Sequence, residues 1–452
     1  VTHIWRDDYT GEEEETIVPA LFSRFDCATC WLRYHEERPE RGARVGNSAF
    51  RRVFLTLTRG KEKSLRALDY FLTDLLLEMK ERIIAVVRDV APESEERKRI
   101  LTNVELVYNH AQHSYAHHLD GKSSCPCHDP LFSLGHPDHK SAGGSCASCA
   151  AMVRFFTAAL PTSLGGVLAP YSQLIGDAFE KLKLYMGHTV RAHGQNKRID
   201  ELKTTATIER IHIIIDWMMK FEDSRHREAS RDHYGKRGQS VHGAFVVFFN
   251  VDGSAWCRYF HCAVQGDSKQ DVGSTLSVLE VLLINIRNLV ELQATKFMSL
   301  QSDNAANYSS LFFVLFAFEL ARKYGFEITS FVHNEAQDGK DLVDVSFAAL
   351  KRAWKKWVRE SRKRIVTPSD MITASKYGRG IKDSHLDVAI LDRPKLAEIE
   401  AKFAEVEGRM SQALPSNIAE VRRNADGSYS IHESSPLPPY SFDGFAKKVS
   451  GS

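Results

Sequence analysis

The order of apolar runs between residues 207 and 357 constrains the fold of this chain more than any other feature. Three strand-like runs come first: one that ends at Asp216, then GAFVVFFNVDG (243–253) and AWCRYFHCAVQ (255–265). Helix-like and strand-like runs then alternate, in the order TLSVLEVLLINIRNLVEL (275–292), ATKFMSLQSD ending at Asp303, SSLFFVLFAFELARKYGF (309–326), EITSFVH (327–333) and a last, basic helix. Short apolar runs bounded by turn residues indicate strands, and longer runs of helical period indicate helices. The order predicts an α/β core with a mixed five-stranded sheet flanked by helices.

Acidic residues end two of the predicted strands. Asp216 closes the first predicted strand, and Asp303 closes the fourth, in the peptide SDNAANY. Asp344 is the first choice for a third acid, with Glu335 and Asp341 as competitors. Two-metal phosphoryl transfer needs carboxylates from different elements that converge on ions about 3.5–4 Å apart, and hard divalent ions prefer oxygen ligands. The acids therefore predict a catalytic site for two Mg²⁺ or Mn²⁺ ions. The alternative is that they are ordinary surface acids among the 58 of the chain.

A known family resembles the same stretch. The ordered peptides HTVRAHGQ, IIIDW, SDNAANY and EAQDGKDLVD resemble transposases and integrases of the DDE/DDD class, and more closely a group of transposon-derived eukaryotic proteins. The resemblance covers residues 185–360 and implies a catalytic core of RNase H-like type that acts on DNA. QDGKDLVDVSFAALK is similar to the integrase helix in which a Gln–Gly turn precedes the third acid. Two extra residues between Gly339 and Asp344 leave Glu335 and Asp341 open for that role.

Paired cysteines mark the N-terminal part of the chain. Six of the eight cysteines fall in close pairs, namely Cys27 with Cys30, Cys125 with Cys127, and Cys146 with Cys149. The first residues are polar and acidic and do not read as a secretory signal, so the pairs indicate metal binding rather than disulfides. The Pro- and Gly-rich loop around the last two pairs has little apolar surface to bury, and a structural metal would supply the missing folding energy.

Four thiolates in two pairs suit tetrahedral Zn²⁺, so a structural zinc is predicted at Cys125, Cys127, Cys146 and Cys149. Several alternatives stay open. One of His128, His136 or His139 could replace a thiolate, Cys27 and Cys30 could form a second site with histidines of 110–118, or they could pair with Cys146 and Cys149. The remaining reading is that the cysteines are reduced and bind nothing.

Helical periodicity over residues 62–118 makes the N-terminal region mainly helical as well as zinc-binding. Four regions are predicted: a helical zinc-binding region (1–150), a helical bridge (151–206), the core (207–365), and a C-terminal helix with a Pro- and Ser-rich tail (366–452). In the resembling families such N-terminal modules bind element ends or mediate assembly, so a homo-oligomer is an open expectation.

The last helix of the core, FAALKRAWKKWVRESRKR (347–364), is the most basic segment. The net charge of the whole chain is only +2, so a nucleic-acid surface must be local. Helical period turns Trp354 and Trp357 inward and the basic residues outward. The predicted DNA contacts are Lys351, Arg352, Lys355, Lys356 and Arg359, and the same run would serve as a nuclear-localisation patch. An ordinary solvated helix face is the alternative.

Two further expectations concern the membrane and the remaining cysteines. No run of 18 apolar residues lacks charge, so no membrane span is expected. Cys257 and Cys262 are five apart on one strand and should face opposite sides of the sheet as core residues.

The sequence therefore predicts a metal-dependent DNA nuclease or transposase located in the nucleus. The alternative is a domesticated, catalytically inactive transposase that acts as a DNA-binding or effector protein. A Holliday-junction or RNA-directed nuclease on the same fold is a third option, because fold alone does not decide function.

Overall fold

The computed structural model describes residues 2–6, 13–17, 71–119, 146–222, 238–265, 269–334, 342–410, 419–424, 426 and 428–432. They fall into two compact units, Val1–Thr73 and Asp74–Ser452. In the first unit, β1 (Thr2–Arg6) pairs antiparallel with β2 (Glu13–Ile17). The second unit holds the helices and the large sheet.

Four longer helices are described in the second unit before the sheet: α1 (Glu78–Val90), α2 (Glu95–Asn109), α3 (Ala147–Arg154) and α4 (Ser172–Thr204). Shorter helical turns lie before α1 at Phe71–Leu77, after α2 at His110–Ser114 and Tyr115–His118, and between α3 and α4 at Phe155–Ala159, Leu160–Leu164 and Gly165–Tyr171. Ser94 starts α2 by accepting a hydrogen bond from the Arg97 amide at 3.2 Å, as an N-cap does. The described residues from 71 to 118 are therefore mainly helical, as the periodicity over 62–118 predicts, whereas β1 and β2 are strands within the region predicted as helical.

The sheet has eight strands: β3 (Arg210–Trp217), β4 (Val241–Phe249), β5 (Ala255–Gln265), β6 (Phe297–Ser302), β7 (Glu327–His333), β8 (Ser384–Ile390), β9 (Glu420–Arg423) and β10 (Tyr429–His432). Their order across the sheet is β10-β9-β7-β6-β3-β4-β5-β8. β3 runs antiparallel to β4, and β4 to β5, whereas β6 is parallel to both β3 and β7. The predicted mixed α/β fold is confirmed.

The predicted number of five strands was wrong, because three more come from the chain beyond residue 365. β8 adds parallel to β5 at one edge, and β9 adds antiparallel to β7 at the other, with β10 outside it. β9 and β10 are four residues each, too short for a clear alternating pattern. The described part of the region 366–452 thus contains two helices and three strands that extend the sheet, and the core does not end at residue 365.

Four of the described helices pack on the sheet: α5 (Val272–Asn288), α6 (Leu311–Lys323), α7 (Leu342–Ser361) and α8 (Pro368–Ser375). A further one, α9 (Arg393–Met410), packs beside α5 and α6. Side chains of a strand alternate between faces, and β3 shows this clearly. Ile213 and Ile215 pack in the cluster of α5 and α6, whereas Ile214 packs in the cluster of α7 and α8. We call these two sides the α5/α6 face and the α7/α8 face.

The cysteines of β5 follow the same alternation. Cys257 packs against the cluster of the α7/α8 face, and buried Cys262 belongs to another cluster with Val264 and Val278 of α5. The expectation that these two residues face opposite sides of the sheet is confirmed. Burial also raises the pKa of the Cys262 thiol, which keeps it protonated.

One helical run among the described residues, 147–204, is long and apolar enough to cross a membrane by length and composition only. Its most apolar 18-residue window has a mean hydropathy of 1.3 and is 28% buried in the protein. Core helices of soluble proteins meet the same criterion, and Gly165 and Pro170 interrupt the regular helix within this run. The absence of a membrane span stays a prediction.

Candidate functional site

The two principal acids lie at the carboxyl ends of two neighbouring strands in the middle of the sheet. β3 and β6 are parallel neighbours, with Ile214 beside Gln301 as the last recorded pair. Asp216 follows Ile214 by two residues, and Asp303 follows Gln301 by two, so the same register places the acids side by side. Because side chains two apart share a face, Asp216 emerges on the face of Ile214, the α7/α8 face. The structure therefore brings together the two acids that the sequence selected.

Asp303 is half-buried, and few contacts stabilise the negative charge of its carboxylate. Burial raises the pKa of its carboxyl, and a hydrogen bond from the Ala305 amide, 3.3 Å from Oδ1, offsets this in part. Among the described residues no cation forms an ion pair with Asp303. Asp216 accepts a hydrogen bond from the Trp217 amide at 2.7 Å. A partly desolvated carboxylate without a cation is a group that a divalent ion would stabilise.

The Tyr308 hydroxyl lies near enough to both carboxylates for their charges to affect its pKa. Its side chain is 1% exposed, and it lies in the short helix Ala306–Ser309 that follows Asp303. Burial raises the pKa of the Tyr308 hydroxyl well above its usual range, and the charges of Asp216 and Asp303 raise it further. Both carboxylates therefore act on one buried hydroxyl. Sequence reasoning missed this residue, although it lies within the SDNAANY peptide.

The start of α7 lies directly against the sheet beside Asp216. Gly243 of β4 is the cross-strand partner of Asp216. A Cβ atom built on Gly243 would lie 2.5 Å from Phe347 Cε1 and 2.7 Å from Val343 Cγ1, closer than real atoms approach. Only glycine allows this contact. Asp344 follows Val343 in the first turn of α7 and is exposed.

The third acid is not settled by this arrangement. Asp344 is placed on the helix that touches the Asp216 strand pair, but in the described part of the chain no three His, Cys, Asp or Glu side chains are grouped closely enough to hold a metal ion. Its competitors Glu335 and Asp341 lie outside the described residues. The pair Asp216 and Asp303 is thus brought together, and the third ligand stays a prediction.

Three buried histidines lie on strands of the same sheet, on β4, β5 and β7, and the sequence analysis did not select them. Burial lowers the pKa of His242 to about 3, and that of His261 and His333 to about 4, so all three are neutral near pH 7. His261 Nε2 lies 2.9 Å from Ser346 Oγ, which links β5 to the first turns of α7. The only signal in the sequence was a polar residue inside an apolar run.

The basic helix has the orientation that its period predicts. Trp354 is fully buried and Trp357 is 5% exposed, whereas the predicted DNA contacts face outward. Of these, Arg352, Lys355, Lys356 and Arg359 are exposed and Lys351 is half-exposed. At about 1.5 Å per residue, they lie about 10–23 Å along the helix from Asp344. A phosphate backbone that reached the acids could therefore follow this face.

One of the predicted zinc pairs is described. Cys146 is the N-cap of α3, and Cys149 is buried within that helix. His110 Nε2 lies 3.3 Å from Cys149 Sγ, and hydrogen bonds, chiefly with the backbone of Cys149, lower the pKa of the Cys146 thiol. These sulfur and nitrogen donors have the chemistry that zinc prefers. Cys27, Cys30, Cys125 and Cys127 lie outside the described residues, as do His128, His136 and His139.

Comparisons of the chain with protein-family models, with curated proteins and with solved structures find no match.

Proposed function

We propose that this protein is a metal-dependent DNA nuclease of the RNase H-like, transposase type. Asp216 and Asp303 would hold two Mg²⁺ or Mn²⁺ ions, with Asp344 as the third ligand and Glu335 as its competitor. The central five strands support this proposal. Their order β7-β6-β3-β4-β5, with two antiparallel and two parallel pairings, is the arrangement that the RNase H-like reading of the sequence requires.

The observation that carries the proposal is the position of the two acids. Asp216 lies near the end of β3 and Asp303 directly after the end of β6, and each follows by two residues the last recorded pair of these adjacent parallel strands. Ligand sites of α/β sheets lie outside the carboxyl ends of the strands, where the strand order reverses. β3 is such a point, because β4 and β5 extend the sheet on one side of it and the strands that come next in the chain, β6 and β7, extend it on the other.

The proposal assigns metal binding and DNA binding to different residues of the chain. Bound divalent ions would activate a water or a 3′-hydroxyl and neutralise charge on the leaving oxygen. Asp216 and Asp303 would fix the positions of those ions from a rigid sheet edge. The exposed basic face of α7 would bind the phosphate backbone, where Lys and Arg displace condensed counterions.

Cleavage of labelled DNA, single- and double-stranded, tests this proposal in the presence of Mn²⁺ or Mg²⁺. Asp216→Asn and Asp303→Asn should each reduce the rate by about a hundredfold or more, since metal catalysis supplies several kcal/mol of transition-state stabilisation. Asp252→Asn is the matched control. Asp252 lies in the turn after β4, at the end of the strands that is far from Asp216. Its substitution should leave cleavage unchanged.

The outcomes separate the candidates. Cleavage that survives both substitutions would show that Asp216 and Asp303 are not the site. Wild-type protein that binds DNA and cleaves none in any metal would favour the inactive, DNA-binding alternative, which the exposed basic face of α7 also supports.

A structural zinc completes the proposal for the N-terminal region. Cys146, Cys149 and His110 offer neighbouring donors, and the cysteines outside the described residues would supply the others. Metal analysis of the purified protein should find zinc, and Cys146→Ser with Cys149→Ser should release it. A nuclear location and a homo-oligomer stay predictions.

A further inference from the structure

Tyr308 is held firmly at the site by its surroundings. Its amide donates a hydrogen bond to the Ala305 carbonyl at 2.9 Å, and the Ala305 amide in turn contacts the Asp303 carboxylate. The ring centroid of Tyr308 lies 5.8 Å from that of Phe313 and 6.1 Å from that of His242. His242 pairs with Trp217, the neighbour of Asp216. The ring therefore packs in the core cluster of the α5/α6 face, beside His242 at the start of β4.

The hydroxyl of Tyr308 is buried and has no hydrogen-bond partner among the described residues. A buried polar group left unpaired costs about 1–3 kcal/mol, so such groups in folded proteins call for an explanation, such as a bound ligand. Two more buried atoms at this sheet edge, His242 Nε2 and His333 Nε2, are in the same state within the described part of the chain. Their cross-strand partners are Trp217 and Ser302, which flank the two acids in the sequence.

We propose that Tyr308 is a positioning residue of the Asp216–Asp303 site, whose hydroxyl donates a hydrogen bond to an oxygen ligand held between the two carboxylates. This inference rests on the proposed function. The ligand oxygen belongs either to water or to a phosphoryl group of the DNA, and a hydroxyl donor suits both. The role also explains why a tyrosine is present where phenylalanine would fill the same apolar space.

Tyr308→Phe separates this role from a merely structural one. Removing an unpaired hydroxyl leaves the packing of the ring intact, so thermal unfolding without metal should occur at the same or a higher temperature. Mn²⁺ affinity, cleavage or both should fall by about tenfold, the loss expected for a hydrogen bond in a charged site. A structural tyrosine would show the reverse: lower stability and unchanged metal binding.

Tyr324→Phe is the matched control. The Tyr324 hydroxyl donates to Glu280 Oε1 at 2.6 Å, at the far end of α6. This hydroxyl is paired, so its loss should lower the unfolding temperature slightly and leave Mn²⁺ affinity at the wild-type value.

Calorimetric titration with Mn²⁺ alone, followed by steady-state cleavage kinetics, distinguishes the two sources of the oxygen. If the ligand is water, Tyr308→Phe weakens Mn²⁺ binding without DNA. If the ligand is a phosphoryl oxygen, Mn²⁺ binding is unchanged and kcat/KM for DNA falls. Wild-type Mn²⁺ affinity and kinetics in Tyr308→Phe would overturn the role of Tyr308 alone. Wild-type protein that neither binds Mn²⁺ nor cleaves DNA would overturn the proposed function as well.

Discussion

Two carboxylates at different places in the same sheet have opposite surroundings. Glu420, at the start of β9, is fully buried and is surrounded by Arg198 Nε at 3.1 Å, Ser330 Oγ at 2.6 Å and the Arg422 guanidinium at 2.5 Å. Burial alone would raise the pKa of Glu420, but the hydrogen bonds from Arg422 and Ser330 lower it overall. Asp303 has one weak hydrogen bond from an amide, and burial raises the pKa of its carboxyl.

The comparison distinguishes Glu420, whose ion pairs stabilise the fold, from Asp303, whose carboxylate is available to bind a cation. Glu420 is neutralised within the protein, and its contact with Arg198 joins α4 to the edge of the sheet. Asp303 has no cation partner among the described residues, so the cost of burying its charge is offset only in part, by the Ala305 amide. A carboxylate of this kind is stabilised when a cation binds, which is what a metal site requires.

The largest expected effect is on stability and concerns Glu420. Glu420→Gln should lower the free energy of unfolding by about 3 kcal/mol, because it leaves Arg422 without a carboxylate and Arg198 with Glu201 alone. The partial exposure of Arg198 and Arg422, 20% and 31%, keeps the loss at the low end of the range for buried pairs. Asp303→Asn should leave stability unchanged or raise it. Urea denaturation measures both.

Glu319→Gln is the control for that comparison. Glu319 forms an exposed ion pair with Arg322 on α6 at 2.8 Å, and such pairs contribute about 0–1 kcal/mol. Equal losses from Glu420→Gln and Asp303→Asn would contradict the distinction between a paired and an unpaired acid.

Stabilisation by a divalent ion should depend on Asp303 and not on Glu420, which is the reverse of their expected effects on stability without metal. At about a hundred times its dissociation constant, Mn²⁺ should stabilise the wild type by about 2.7 kcal/mol, and Glu420→Gln should show the same increment from its lower baseline. Asp303→Asn should show little or none, whereas Asp252→Asn should respond as the wild type does. Thermal unfolding with and without Mn²⁺ measures these increments, and an increment retained in Asp303→Asn would place the ion elsewhere.

The basic residues also differ in whether they are paired. Arg198 forms an ion pair with Glu420 inside the protein, whereas the basic face of α7 is exposed. Lys355→Glu with Lys356→Glu should weaken DNA binding by about tenfold and lower the slope of log K against log salt by about 2, close to one unit per lost phosphate contact. Lys98→Glu with Lys402→Glu, a charge-matched pair on α2 and α9, should have a smaller effect. Fluorescence anisotropy over a salt series measures both, and equal effects would argue against a DNA surface on α7.

The smallest effect is the pH dependence of stability without metal. The pKa of Glu420 is lowered in the folded state, so its stabilisation is present above the unfolded pKa and is lost as pH falls through the folded pKa. The pKa of Asp303 is raised, so its cost is present above the folded pKa and disappears below the unfolded one. From about pH 7 to about pH 4, the wild type should therefore lose stability relative to Glu420→Gln and gain it relative to Asp303→Asn. Difference curves of the same sign would contradict the two assignments.

Periodicity found the centre of the fold and two of its acids. The strands β3, β4, β5, β6 and β7 and the helices between them follow from apolar runs, because buried strands and helices need such runs. Asp216 and Asp303 were visible because a charge that ends an apolar run is conspicuous. The inward Trp354 and Trp357 of α7 follow from helical period in the same way.

Other features depended on contacts between distant parts of the chain. β9 and β10 join the sheet through a few backbone pairs that leave little pattern in four-residue strands. Tyr308, His242 and His261 are buried polar residues whose sequence context does not reveal which strand or helix lies beside them. Gly243 could be recognised only when α7 was placed over it, since a glycine in a strand has many explanations.

The sequence by itself determined the order of strands and helices, the two acids at strand ends and the direction of the basic face, because each is set by local periodicity. Only the tertiary structure decided that Asp216 and Asp303 lie side by side, that α7 starts against Gly243, and that Asp303 lacks the cation that Glu420 has. These are properties of pairs of residues far apart in the chain, and their distances and burial arise only when the whole sheet is assembled.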